Sequence, residues 1–217
     1  MEKIRVMQSI YDRNDAVSEE IRRDLTARGI FAVNVMGAPG AGKTSVVIGL
    51  IERMDVKSYV VEGDIESDLD TRNLRQRGVE TVQINTHGAC HLDAPTVRDA
   101  LAGLAVPEPG ILYIENIGNL VCPAEFNIGE HIKMLVVTVT DGSDKPYKYP
   151  LAFEKADVIV INKIDLMPYV DFDEGFFMAG VRALNPHVPV YKVSARSGDG
   201  LDEFAKWMGD RGKTTKA

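Results

Sequence analysis

Cysteine is scarce in this chain of 217 residues, with only Cys90 and Cys122 present. A disulfide-rich secreted scaffold is therefore excluded, and although one bridge is possible in principle, reduced thiols or metal ligation are the expected uses of the pair. Basic residues are outnumbered, giving a formal net charge of −7. That balance argues against a dedicated nucleic-acid binder, which needs clustered Lys and Arg to neutralise phosphates. No apolar run approaches the length needed to span a bilayer, and residues 1–10 lack a basic start followed by an apolar block. The expectation is a cytoplasmic protein with no membrane partner. Low-complexity tracts, internal repeats and convincing linkers are also missing.

What is present is an ordinary globular composition, 45% hydrophobic and 26% charged, long enough for one well-buried domain. The pattern alternates strand and helix. Residues 14–28 read as an amphipathic helix with Ala16, Val17, Ile21 and Leu25 on its apolar side and Gly29 as its stop. Further helices are predicted at 44–54, 67–77, 95–104, 172–184 and 201–208. Short apolar runs at 31–36, 58–61, 79–84, 111–114, 134–139, 158–161 and 188–193 predict seven strands. Near-continuous Val/Ile/Leu runs suit parallel strands covered on both faces. The expected fold is a doubly wound α/β domain with a mostly parallel sheet of about seven strands. It should span 1–217 as one unit, with 1–30 as a helical extension and 210–217 as a frayed tail.

Gly37, Ala38, Pro39, Gly40, Ala41, Gly42, Lys43 and Thr44 match G-x-x-x-x-G-K-S/T, followed by Ser45. The motif leaves a strand and opens a helix, the context that gives it meaning. Glycines let backbone N–H groups turn inward around phosphate oxygens, and the helix N-terminus adds partial positive charge. Lys43 is expected to reach the β- and γ-phosphates, and the Thr44 hydroxyl to ligate Mg²⁺.

Asn162-Lys163-Ile164-Asp165 closes a later apolar strand as N-K-x-D. A carboxylate at Asp165 accepts from both the ring N1–H and the exocyclic amine of guanine. Adenine presents a lone pair at that ring nitrogen and is rejected. Asn162 either bonds the other edge of the base or holds the phosphate loop, and the Lys163 stem lies across the purine. Ser194 and Ala195, at another strand end, fit a loop that supports guanine O6 through a backbone N–H; alone they would be an ordinary capping turn. The motifs together point to GTP and GDP.

Two acidic strand ends are candidates for magnesium contacts or for orienting the attacking water: Asp64, after Glu62-Gly63, and Glu115, which opens Glu115-Asn116-Ile117-Gly118. Asp70 is a third candidate. No clear catalytic Gln follows Gly118, so slow intrinsic hydrolysis, completed by dimerisation or a partner, is expected. Cys90 and His91 lie in one loop and Cys122 in another. Thiolate and imidazole suit Zn²⁺ or Ni²⁺. Three ligands leave a tetrahedral site incomplete, so a fourth must come from His87, Asp93, water or a second subunit; two buried cysteines and a satisfied histidine remain the plain alternative.

The strings GAPGAGKT, GDIESDLD, ACHLDA, YIENIGNLVCP, TVTDGSDKPYKYP, INKIDL and VSARSGDGL together resemble the HypB family of hydrogenase nickel-incorporation GTPases. The resemblance implies a SIMIBI-type P-loop domain that dimerises with GTP. It implies a metal site of Cys90, His91 and Cys122 beside the switches, and a HypA-type nickel chaperone and a hydrogenase large subunit as partners. Lys145 and Lys148 match a lysine loop that makes contacts across the nucleotide-bound dimer. The chain departs from some members of that family. It has no cysteine before Cys90, and its histidines are only His87, His91, His131 and His187, which argues against high-capacity nickel storage. Two alternatives remain at this point. One is a urease-accessory type of nickel GTPase, whose motif is Cys-Pro-His rather than Ala-Cys-His. The other is a non-enzymatic metal-binding scaffold that uses nucleotide structurally.

Overall fold

The computed structural model of the protein describes residues 2–64, 74–86, 88–106 and 108–214, with the backbone alone at 2–10, 64 and 214. Seven strands run as β1 (Ile30–Gly37), β2 (Ser58–Asp64), β3 (Glu80–Asn85), β4 (Gly110–Glu115), β5 (Ile132–Thr138), β6 (Val158–Asn162) and β7 (Val190–Lys192). They form one sheet in the order β3-β2-β4-β1-β5-β6-β7, every pair parallel. The α/β reading of the sequence holds, and the sheet is parallel throughout rather than mostly so.

Period-two alternation sorts the strand residues between faces. Val33 and Val35 of β1, Met134 and Val136 of β5 and Val158 and Val160 of β6 belong to one core. Against it pack Val46, Val47 and Leu50 of α2 (Lys43–Ile51) and Leu201, Phe204 and Met208 of the C-terminal helix (Leu201–Thr214). Intervening residues face two other clusters. Ala32, Val61, Leu112 and Ile114 meet α1 (Glu2–Ala27) and α3 (Ala94–Ala102). Leu135, Val137, Ile159 and Ile161 meet Ala152 and Phe153, from a short helix at Pro150–Lys155, and Phe177 and Val181, from one at Glu174–Leu184.

Two local expectations change, and a third lies mostly outside the described residues. The helix expected from residue 14 runs from Glu2, and its buried stripe is Asn14, Ser18, Ile21 and Leu25, with Ala16 exposed. Hydrophobicity passes over the two polar members, yet both are satisfied. Asn14 donates to the Asn127 carbonyl at 2.8 Å and accepts from the Ala94 N–H at 2.9 Å, and the Ser18 hydroxyl accepts from the Gly129 N–H at 2.9 Å. The tail expected to fray from Asp210 is helical to Thr214, with Arg211 over the Trp207 ring and Gly212 close against Ile111. The helix expected over 67–77 falls mostly outside the described residues, of which 74–76 are helical.

Topology places the ligand crevice. β4 and β5 flank β1, so the chain crosses over the C-terminal end of β1 on its way between them. In open α/β sheets such a switch point leaves a cleft beyond the strand ends. The phosphate-loop motif sits there.

One core group is out of place. The Tyr113 hydroxyl on β4 is fully buried and has no hydrogen-bond partner among the described residues; burial pushes its phenol far above the usual range. Removing a buried unsatisfied hydroxyl relieves its desolvation cost. Tyr113→Phe is therefore expected to stabilise the fold by about 1 kcal/mol, raising the thermal midpoint by roughly 2–4 °C. A lower midpoint in calorimetry would show that the hydroxyl is in fact satisfied.

Candidate nucleotide and metal site

β1 ends at Gly37 and α2 starts at Lys43, and the loop between them closes on itself through the Ala41 N–H to Ala38 carbonyl bond of 3.1 Å. Two positions demand glycine. Gly42, at φ 85° and capping α2, would place a Cβ 2.6 Å from Asn162 Nδ2, and Gly37 would place one 2.4 Å from the Val136 carbonyl oxygen. The loop borders a cleft of about 510 Å³, lined by Pro39, Gly40, Gly42, Lys43, Thr44 and Ser45 on one side. Ala38 and Ala41 pack below it.

Glu62, Gly63, Glu115, Asn116, Ile117 and Gly118 line the opposite side. The Thr44 hydroxyl donates to Glu115 Oε1 at 2.9 Å, and Lys43 Nζ lies 3.9 Å from the same oxygen. Lys43, Glu62 and Glu115 are all buried. Glu62 and Glu115 are partners in the parallel register of β2 and β4, so both carboxylates stand on one face at neighbouring strand ends. A hydroxyl with clustered carboxylates is a hard-oxygen donor set, which fits Mg²⁺. The sequence reading chose Asp64 and passed over Glu62. The signal was available, because residues two apart on a strand share a face. The side chain of Asp64, like all of Asp70 and His87, lies outside the described residues.

The base-site residues gather at the ends of β6 and β7. Ser194 Oγ donates to Asp165 Oδ1 at 2.6 Å, which leaves the carboxylate oriented by a fully buried hydroxyl. Asn162 Nδ2 donates to the Ala41 carbonyl at 3.0 Å, so of its two expected roles it takes the one that holds the phosphate loop. Asn162 Oδ1 accepts the Ala195 N–H at 3.1 Å, the group expected to meet guanine O6. Lys163 adopts φ 61°, the one positive φ outside glycine among the described residues, and its Nζ donates to the Gly40 carbonyl at 2.7 Å. This left-handed turn costs conformational energy, and it brings the lysine stem across the mouth of the cleft.

On the far side of Gly118 lies the cysteine cluster. Ligand atoms of Cys90, His91 and Cys122 all fall within 4.8 Å of one another. The thiols are free, their sulfurs 3.2 Å apart, and His91 Nδ1 lies 3.3 Å from the Cys90 sulfur. Cys90 is exposed and Cys122 half-buried, so these are not inert core cysteines. The hydrogen bond to Cys122, with burial second, pushes the Cys90 thiol up; burial holds His91 below its ordinary value. Two sulfurs and an imidazole are soft to borderline ligands that fit Zn²⁺ or Ni²⁺. Asp93 is not a convenient fourth ligand, because its carboxylate caps α3 by accepting from the Thr96 N–H. His91 stacks on Phe126 at 4.1 Å and Phe126 on Tyr11 at 5.1 Å, so α1 braces the cluster from outside. In the lysine loop, Lys148 pairs with Asp144 and Lys145 lies over the Tyr149 ring.

A family model described as CobW/HypB/UreG, nucleotide-binding domain, matches residues 31–192. The hydrogenase maturation factor HypB of Rhizobium leguminosarum bv. viciae is 44% identical over 208 residues, covering 94% of this chain and 69% of that one. The chain belongs to the HypB family.

Solved HypB structures agree with the fold. A crystal structure of HypB from Helicobacter pylori in complex with nickel superposes with a TM-score of 0.88 at 32% identity, covering 94% of this chain and 97% of the other. HypB from Archaeoglobus fulgidus superposes at 0.85 with 34% identity, covering 93% and 99%. Among the described residues, no helix of this HypB-family chain is long and apolar enough to cross a membrane.

Proposed function

We propose that the protein is a GTP-hydrolysing metallochaperone that assists nickel insertion into nickel–iron hydrogenase, with a GTP-dependent homodimer coupled to its Cys/His site. One observation carries this reading: β4 delivers Glu115 to the phosphate cleft, and the loop leaving it delivers Cys122 to the metal cluster. The two sites share a single strand end. Membership of a family of hydrogenase maturation factors, with a nickel-bound relative, supports nickel as the cargo; zinc satisfies the same donors.

The chain's own residues divide the task. Backbone N–H groups of 37–44 and Lys43 bind the β- and γ-phosphates. Asp165, steadied by Ser194, selects guanine, and opening of the Asn162–Ala195 contact frees the Ala195 N–H for guanine O6. Thr44, with Glu115 and Asp64 directly or through water, would hold a magnesium ion, which when bound would supply charge neutralisation at the transferring phosphoryl group. Asp64 and Glu115 also orient the attacking water. Without a glutamine after Gly118, turnover is slow until a second subunit or partner completes the site. Lys145 and Lys148 reach across the dimer, and a HypA-type chaperone and the hydrogenase large subunit exchange nickel with Cys90, His91 and Cys122 in the cytoplasm.

The test combines turnover with metal affinity. GTP hydrolysis is expected with magnesium. Nickel(II) affinity should differ about fivefold or more between the GDP form and a form holding a non-hydrolysable GTP analogue. Absence of turnover even in the dimer would favour a metal-binding scaffold. Equal nickel affinity and stoichiometry in both nucleotide states would remove the switch.

A further inference from the structure

Between the cleft and the cysteine cluster runs the segment 116–122, and Asn119 touches both of its neighbours. Its backbone forms an antiparallel bridge with Gly37, the first residue of the phosphate loop. The preceding Gly118 lies so close to Pro39 that a Cβ would stand 2.9 Å from Pro39 Cα. The side chain points the other way. Nδ2 donates to the Cys90 carbonyl at 3.0 Å, and Oδ1 accepts from the Val121 N–H, next to Cys122, at 2.9 Å. A single amide thus ties the backbone of one cysteine loop to the backbone of the other.

Asn116 offers a comparison. Its Oδ1 accepts from the Leu92 and Ile117 N–H groups, each at 3.0 Å, while its Nδ2 donates to the fully buried Asn34. That amide is anchored in the sheet and fixes the base of the metal loop. Asn119 is outside the core and is anchored to the phosphate loop instead. A shift of the phosphate loop at Gly37 or Pro39 therefore moves Asn119 relative to Asn116, and with it the Cys90 backbone.

We infer that Asn119 is the positioning residue that sets the spacing of Cys90 and Cys122 according to the state of the phosphate loop. It ligates no metal and lines no part of the nucleotide cleft; it acts through the two cysteine loops. The inference rests on the switch reading above. Its physical basis is a two-ended hydrogen-bonded link, which transmits displacement only while both ends hold. Loss of one neutral hydrogen bond is enough to abolish a coupling of about fivefold.

The experiment titrates nickel(II) into full-length wild type, Asn119→Ala and Asn119→Asp, each with GDP and with a non-hydrolysable GTP analogue. The sulfur-to-nickel charge-transfer absorption serves as a second readout. Asn119→Asp keeps the acceptor for Val121 but turns an oxygen towards the Cys90 carbonyl. In wild type the two nucleotide states should differ about fivefold or more in nickel affinity. Both variants should bind nickel with a ratio near one and a band that no longer changes with nucleotide, while their GDP affinity stays within about threefold of wild type. A preserved ratio in either variant that binds nickel overturns the inference. So does loss of nickel binding in both variants, which would make Asn119 a plain structural anchor. A ratio near one in wild type itself sinks the switch reading and this inference together, and it is visible before any variant is measured.

Discussion

Asp165→Asn is expected to invert the base preference of the protein, from guanosine towards xanthosine nucleotides. Guanine presents two donors, its N1–H and its 2-amino group, to the carboxylate. Each charge-assisted hydrogen bond is worth about 1.5–3 kcal/mol, so losing the match costs about 3 kcal/mol or more, roughly 100-fold or more in affinity. Xanthine carries an oxygen in place of the amine, and the asparagine amide donates to it. The Ser194 hydroxyl, 2.6 Å from Asp165 Oδ1, still finds an acceptor in the variant, so the loop is not expected to collapse. Competition binding with GDP, XDP and ADP measures the shift. An unchanged preference for GDP would discredit Asp165 as the base reader, while equal weakening of all three would indicate damage to the loop alone.

Lys43→Ala is the second large effect, a loss of nucleotide affinity of at least about 100-fold. A buried ammonium bonded to phosphate is worth about 1.5–3 kcal/mol by direct contact. The setting enlarges it. Glu62 and Glu115 stand buried at adjacent strand ends, with Lys43 Nζ 3.9 Å from Glu115 Oε1. Removing the cation takes a positive charge away from beside Glu115 as the polyphosphate enters, and like charges repel most where water is excluded. Isothermal titration with GDP and the GTP analogue reads the change, and circular dichroism checks that the sheet persists. Binding within threefold of wild type would show that backbone amides and magnesium suffice without the lysine.

Much of the site could be read from residue order because its parts are local. The phosphate loop needs glycine at fixed offsets, and Gly42 at φ 85° against Asn162 shows why. N-K-x-D sits at the end of an apolar strand, where the periodicity placed it. Elsewhere locality failed. Glu62 and Asp64 share a face of β2, so the choice between them depends on how far along the strand the cleft lies. Asn14 and Ser18 look like breaks in an apolar stripe until the Ala94, Asn127 and Gly129 backbone groups they satisfy are brought beside them. The short helix Cys122–Glu125 begins at a proline-containing turn too brief to leave a periodic signal.

By itself the sequence determined a doubly wound α/β domain with a mostly parallel sheet, a phosphate-loop motif, an N-K-x-D strand end suited to guanine and the soft chemistry of the cysteine loops. Those features follow from backbone propensity, alternation of apolar residues and side-chain donor type, all set by near neighbours. Only the tertiary structure decided that Cys90, His91 and Cys122 meet within 4.8 Å, and that Glu115 serves Thr44. It alone showed that Asn119 joins the phosphate loop to the metal loops. Such contacts depend on strand order and register, which bring distant residues together through packing of the whole sheet.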